Sequence, residues 1–177
     1  MNRISTLFAA LAGVLLLGNM AGCGGGGSSV PVQPVNPMVP LAPLAQIFYD
    51  DRGGIPDSVR VVVRNEEAWQ AEWNRATSQR DDPPPLPTVD FDEYMVLVAA
   101  AGRMSPGDRI QVDSAGVRME RTTELEEEVF EVIVRTVEGC ARIAADVYPL
   151  TIVRVPRFEG RVSFVERVDQ TQCDGAS

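Results

Sequence analysis

The chain of 177 residues contains no histidine and no lysine, so all 16 of its basic residues are arginine, set against 25 acidic ones. Without imidazole there is no His general base, no Ser-His-Asp or Cys-His nucleophile and no His-containing zinc site within the chain; without an ε-amine there is no lysine Schiff base. The net charge of −9 opposes binding to a polyanion, where clustered positive charge supplies most of the non-specific affinity, so nucleic acid is excluded as an expected partner. The length suits one domain with accessory segments. No cofactor is expected and no metal site is assigned.

Only three cysteines are present, and the first stands at a boundary. Arg3 gives a positively charged start, and Leu7 to Leu17 (LFAALAGVLLL) is an apolar run of eleven residues. That run fits the central region of a signal peptide and falls short of the ~20 residues a membrane-spanning helix needs. Met20-Ala21-Gly22-Cys23 follows, with small residues directly before the cysteine, an arrangement that resembles the lipobox of bacterial lipoproteins. On this reading residues 1–22 are a lipoprotein signal peptide and Cys23 is the lipidated first residue of the mature chain. Each buried CH₂ contributes ~0.8 kcal/mol, and two or more acyl chains give stable anchoring without a spanning helix. Gly24 stands where enteric lipoproteins held in the inner membrane commonly carry Asp, which favours the outer membrane in a cell with two membranes.

Residues 23–45 read as a tether. Gly24 to Ser29 has flexible-linker composition, and Pro31, Pro34, Pro37, Pro40 and Pro43 recur at every third position. Polyproline II has three residues per turn, so these prolines align on one face of a rod, about 40 Å long at ~3.1 Å per residue.

Residues 46–177 read as a single globular domain. Gln46–Tyr49 and Val59–Val63 are predicted strands, with the turn-rich DDRGGIPD of residues 50–57 between them. Asn65 opens a helix over about 65–78, with Glu66 and Glu67 where the helix dipole favours negative charge. Trp69, Trp73 and Ala76 form its apolar stripe, and DDPPPLP ends it. Further strands are expected at Tyr94–Ala101, Arg109–Asp113, Val117–Arg121, Val129–Thr136, Leu150–Val155 and Arg161–Val168, with a turn at Ser114–Gly116. The fold class is therefore α+β, a mainly antiparallel β-sheet domain with one principal amphipathic helix.

With Cys23 lipidated, Cys140 and Cys173 remain as an even pair in an exported compartment, and a disulfide between them is expected, two free thiols being the alternative. Acidic clusters are the other chemistry-bearing groups. Asp50, Asp51 and Asp57 surround Gly53-Gly54 without calcium-loop spacing and read as a solvated turn. Glu124, Glu126, Glu127 and Glu128 read as a charged hairpin loop, and Asp90 and Asp92 as the one pair that a glycan hydrolase reading would need. Trp69 and Trp73 are read as core by their spacing, with a partner- or carbohydrate-binding platform as the functional alternative.

Asp90-Phe91 before MVLVAAAG, the turn Ser105-Pro106-Gly107 leading into Arg109-Ile110-Gln111-Val112, Gly139-Cys140, and Tyr148 to Pro156 together resemble the C-terminal domain of the protease complex subunit PrcB family, found in bacterial lipoproteins. The upstream helix with Trp69 and Trp73 fits the same pattern. The central turn departs from it, carrying Pro106-Gly107-Asp108 in place of consecutive glycines before an aromatic residue. The resemblance implies a non-catalytic subunit that associates with an extracytoplasmic protease. An envelope hydrolase built on paired carboxylates and a glycan-binding module are the alternatives.

Overall fold

The computed structural model describes residues 39–40, 44–121, 126–140 and 145–173. Residues 1–22, read as a signal peptide, Cys23, and most of the segment read as a tether lie outside the described residues. In chain order the elements are β1 (Val39–Pro40), β2 (Ala45–Asp50), β3 (Ser58–Val63), α1 (Glu66–Ala76), β4 (Tyr94–Ala101), β5 (Arg109–Arg121), β6 (Glu126–Glu138), β7 (Leu150–Pro156) and β8 (Arg161–Gln170). They form two four-stranded sheets, ordered β1-β5-β6-β8 and β2-β7-β4-β3. The expected α+β class holds. Every pairing is antiparallel except β6 with β8, which run parallel because the chain crosses to the other sheet through β7 between them.

The second sheet is the middle of three layers. Met95, Leu97 and Ala99 of β4, with Val153 and Val155 of β7, pack against Ile110, Phe130, Val132 and Val134 of the first sheet. The alternate residues Val96, Val98 and Ala100, with Leu150 and Ile152, pack against Trp69, Trp73 and Ala76 of α1. Strand residues point alternately to opposite faces, so a strand buried on both must be apolar at every position. That is why β4 reads YMVLVAAA without alternation.

Three boundaries differ from the sequence reading. Ser114–Gly116 is not a turn: residues 109–121 form one strand, with an irregularity in register between Val112 and Ser114. The extra residue, Asp113, shifts the alternation by one, so that Ile110 and Val112 before it and Ala115 and Val117 after it all face the core. Glu126–Glu128 are likewise strand rather than loop, because the ladder runs on to Arg121 opposite Glu126, whose side chains form an ion pair. Glu124 lies outside the described residues. At the start, Val39 and Pro40 pair with Val117 and Gly116, and β2 opens at Ala45, so the sheets reach into the segment read as tether.

One open side of the sandwich is held by charge. Arg60 of β3 donates from Nε and Nη2 to the two carboxylate oxygens of Glu166 on β8, at 2.8 and 2.7 Å, joining the edge strands of the two sheets. A carboxylate on the inward face of an edge strand also discourages pairing with another chain. Among the described residues no helix is long and apolar enough to cross a membrane.

Candidate functional site

Asp50 ends β2, where an aspartate after IFY reads as the first residue of a wet loop; the structure corrects this, because the Asp50 side chain is only 2% exposed. Its Oδ1 accepts from the Arg52 backbone N–H at 3.0 Å, and its Oδ2 accepts from Arg80 Nε at 2.6 Å. Burial by itself raises the Asp50 pKa, but the bond from Arg80, the bond from Arg52 N–H and the two positive charges outweigh it and hold the carboxyl below its ordinary value. The Arg80 guanidinium also lies over the Phe48 ring, 5.5 Å from its centroid, and Phe48 meets Trp73 edge-on at 4.9 Å. The pair thus ties the end of β2 to the end of α1.

The next residues are pressed flat against two elements. Gly53 N–H donates to Tyr148 O and Tyr148 N–H to Asp51 O, while Gly54 N–H donates to Ala76 O, satisfying one of the carbonyls that the end of a helix leaves unpaired. A Cβ on Gly53 would stand 2.1 Å from Leu150 Cδ2, and one on Gly54 would stand 1.9 Å from Ser78 Oγ and 2.3 Å from Arg75 O. Close approach is the reason for both glycines here. On its far side the Tyr148 segment is held by Val147 and Met104, which exchange backbone hydrogen bonds at 2.9 and 3.0 Å.

Between these walls lies a cleft of about 480 Å³ lined by Arg52, Gly53, Gly54, Pro56, Gln79, Asp146 and Tyr148. A smaller hollow of about 240 Å³ adjoins it across Arg52 and Gln79 and is lined by Asp50, Arg80, Asp81 and Asp82. Sequence reasoning singled out the 50–57 turn but missed Gln79, Arg80, Asp146 and Tyr148. Nothing local in the sequence joins residues more than 20 positions apart.

The other sequence-predicted residues lie elsewhere. Trp69 and Trp73 are 1% and 4% exposed, and their indole N–H groups donate to Pro87 O at 2.8 Å and Pro84 O at 3.1 Å. The reading of these tryptophans as a partner-binding platform is corrected: rings enclosed between α1, the middle sheet and the proline segment present no face to a ligand. Asp90 has a local structural role in the turn before β4. Its Oδ1 accepts from Asp92 N–H at 3.0 Å and closes the turn that enters β4. Asp57 is exposed, and among the described residues no group of three or more Asp, Glu, Cys or His side chains is placed to hold a metal ion.

Cys140 and Cys173 are joined in a disulfide, with Cα atoms 5.6 Å apart. It fastens the parallel strands where their ladder ends, beside Thr171 N–H donating to Glu138 O. The same corner is braced by Asp108, whose Oδ1 accepts from Gly139 N–H at 2.7 Å and whose Oδ2 accepts from Ser105 N–H at 3.0 Å. The turn quoted for the family resemblance, Ser105-Pro106-Gly107, is therefore a structural corner, with Gly107 at φ 94°. Cys23 lies outside the described residues.

No family model matches this chain, and neither a curated protein nor a solved structure does.

Proposed function

We propose that this chain is a non-catalytic, lipid-anchored protein of the cell envelope whose domain binds and supports a partner protein, in the terms of the PrcB resemblance an extracytoplasmic protease. The observation that carries the anchoring is Met20-Ala21-Gly22-Cys23 directly after the apolar run Leu7–Leu17. The glycines and prolines that follow supply a spacer, and Gly24 in place of Asp favours the outer membrane in a cell that has one. The absence of His and Lys supports binding over catalysis, since the commonest general bases and nucleophile activators are missing.

Affinity capture of the tagged full chain from detergent-solubilised membranes tests the reading, with Cys23→Ala as control. The expected result is one recurring envelope protein recovered with the wild type and depleted with the variant. Repeated recovery of the chain alone counts against it.

A further inference from the structure

We propose that the cleft between the Gly53-Gly54 loop, the end of α1 and the Tyr148 segment is a binding site for a neutral saccharide. A pyranose ring presents two kinds of surface at once: a rim of hydroxyls, each both donor and acceptor, and C–H faces that are apolar. A site for it needs polar side chains of both kinds around an apolar platform, without an excess of either charge. The cleft has this composition.

Gln79 brings an amide that both donates and accepts, and Tyr148 a hydroxyl that does the same; among the described residues neither side chain is committed to a hydrogen bond. The Arg52 side chain is 83% exposed and its Nε stands 3.8 Å from Asp51 Oδ1, a loose pairing that leaves its donors available. Asp146 offers acceptors opposite, held by Arg103 at 3.7 Å. The Tyr148 and Pro56 rings supply apolar surface on the same walls. Arg52 and Asp146 cancel in sign, which gives no preference for an ionic ligand, and the chain's net charge of −9 opposes a polyanionic one.

The walls are also set before a ligand arrives. Both glycines are bonded through their N–H groups to neighbouring elements, and the Tyr148 segment is bonded on both sides, so little backbone freedom remains to be lost on binding. At about 480 Å³ the cleft falls in the range of about 300–1,000 Å³ usual for small-molecule sites. The carbohydrate platform that the sequence suggested at Trp69 and Trp73 is thus closed, and the cleft around Tyr148 takes its place. This inference stands on the cleft and not on the partner-protein reading; an envelope location only brings glycan within reach.

The test is titration of the full chain in detergent micelles with two uncharged probes, a β-1,4-linked tetramer of N-acetylglucosamine and an α-1,4-linked tetramer of glucose, read by isothermal calorimetry and saturation-transfer NMR. Saturable binding of either probe is expected, weakened about tenfold in Gln79→Ala or Asp146→Ala, as the loss of one good hydrogen bond implies. Both positions are exposed, so melting temperatures should stay at the wild-type value and separate lost binding from lost folding. Arg121→Ala, on the far hairpin, should bind as wild type does. The proposal is overturned if neither probe binds saturably, or if both cleft variants bind unchanged. Such a failure would leave partner capture untouched.

Discussion

Arg80 Nε donates to Asp50 Oδ2 across 2.6 Å, joining two residues thirty positions apart and closing the floor of the smaller hollow. Asp50 is buried while Arg80 keeps part of its guanidinium in water, so the burden of desolvation falls on the carboxylate. Replacing Asp50 by Ala removes a buried, charge-assisted acceptor and should lower stability at neutral pH by about 1.5–3 kcal/mol. Urea denaturation of the two proteins checks the figure.

The same pair predicts a pH dependence. The folded-state pKa of Asp50 is lowered, so its contribution is fully present above the unfolded-state value of about 3.9 and is lost as pH falls through the lower folded-state value. In Asp50→Asn that part of the acid-induced loss should vanish, and the stability curves of variant and wild type should converge below pH ~4. Curves that stay parallel down to the acid limit would show that the carboxylate titrates alike in both states.

Gly54→Ala should be destabilising by about 1–3 kcal/mol, the range for forcing atoms into a closed site. Its Cβ would meet Ser78 Oγ at 1.9 Å and Arg75 O at 2.3 Å. Ser78→Gly in the same chain should recover only part of the loss, because the carbonyl of Arg75 cannot withdraw without opening the end of α1. Full recovery in the double variant, measured by thermal melting, would place the whole clash on the serine.

Acrylamide should quench the native tryptophan fluorescence weakly and the urea-unfolded fluorescence strongly, since both indoles are enclosed. Trp69→Phe keeps most of the packing and removes the bond to Pro87 O, for an expected loss of about 1 kcal/mol, against about 3–5 kcal/mol for Trp69→Ala. Similar losses in the two variants would mean that packing contributes little at this position.

Reduction should raise the intact mass by about 2 Da and lower stability by about 3–4 kcal/mol, the chain-entropy value for a loop of this size. The sequence separation that sets the loop is 33 residues. Hydrogen exchange after reduction should rise first at the C-terminal half of β8, which is exposed and fastened by the bridge. Uniform exchange along β8 would argue that the ladder with β6 holds the strand unaided.

Periodicity carried much of the fold. The β-branched run at Val59–Val63, the Asn65 cap with its side chain accepting from Ala68 N–H at 2.8 Å, and the unbroken YMVLVAAA each have a local cause, and each lies where the sequence places it. What the sequence hid was of two kinds. Ser-Ala-Gly imitates a turn because small residues suit turns, yet the core demanded that Ala115 and Val117 point inward, and the displaced Asp113 met that demand without breaking the strand. The cleft was hidden for a different reason. Its walls come from residues 52–56, 79–82 and 146–148, brought together by sheet order and by the close fit of two glycines, and no window of sequence contains them together. Of the chemistry-bearing residues, the cysteine pair was legible because counting suffices; Asp50 was misread because its partner lies a strand, a loop and a helix away.

The functional account stands on Cys23 being the lipidated first residue of the mature chain. Mass spectrometry of the N-terminal peptide of the protein purified from membranes tests this directly. The account predicts a peptide beginning at Cys23 and carrying a thioether-linked diacylglycerol, with its amine acylated as well in a fully processed form. A mature peptide that begins at another residue, or one that retains Cys23 as a free or disulfide-bonded thiol, would contradict it.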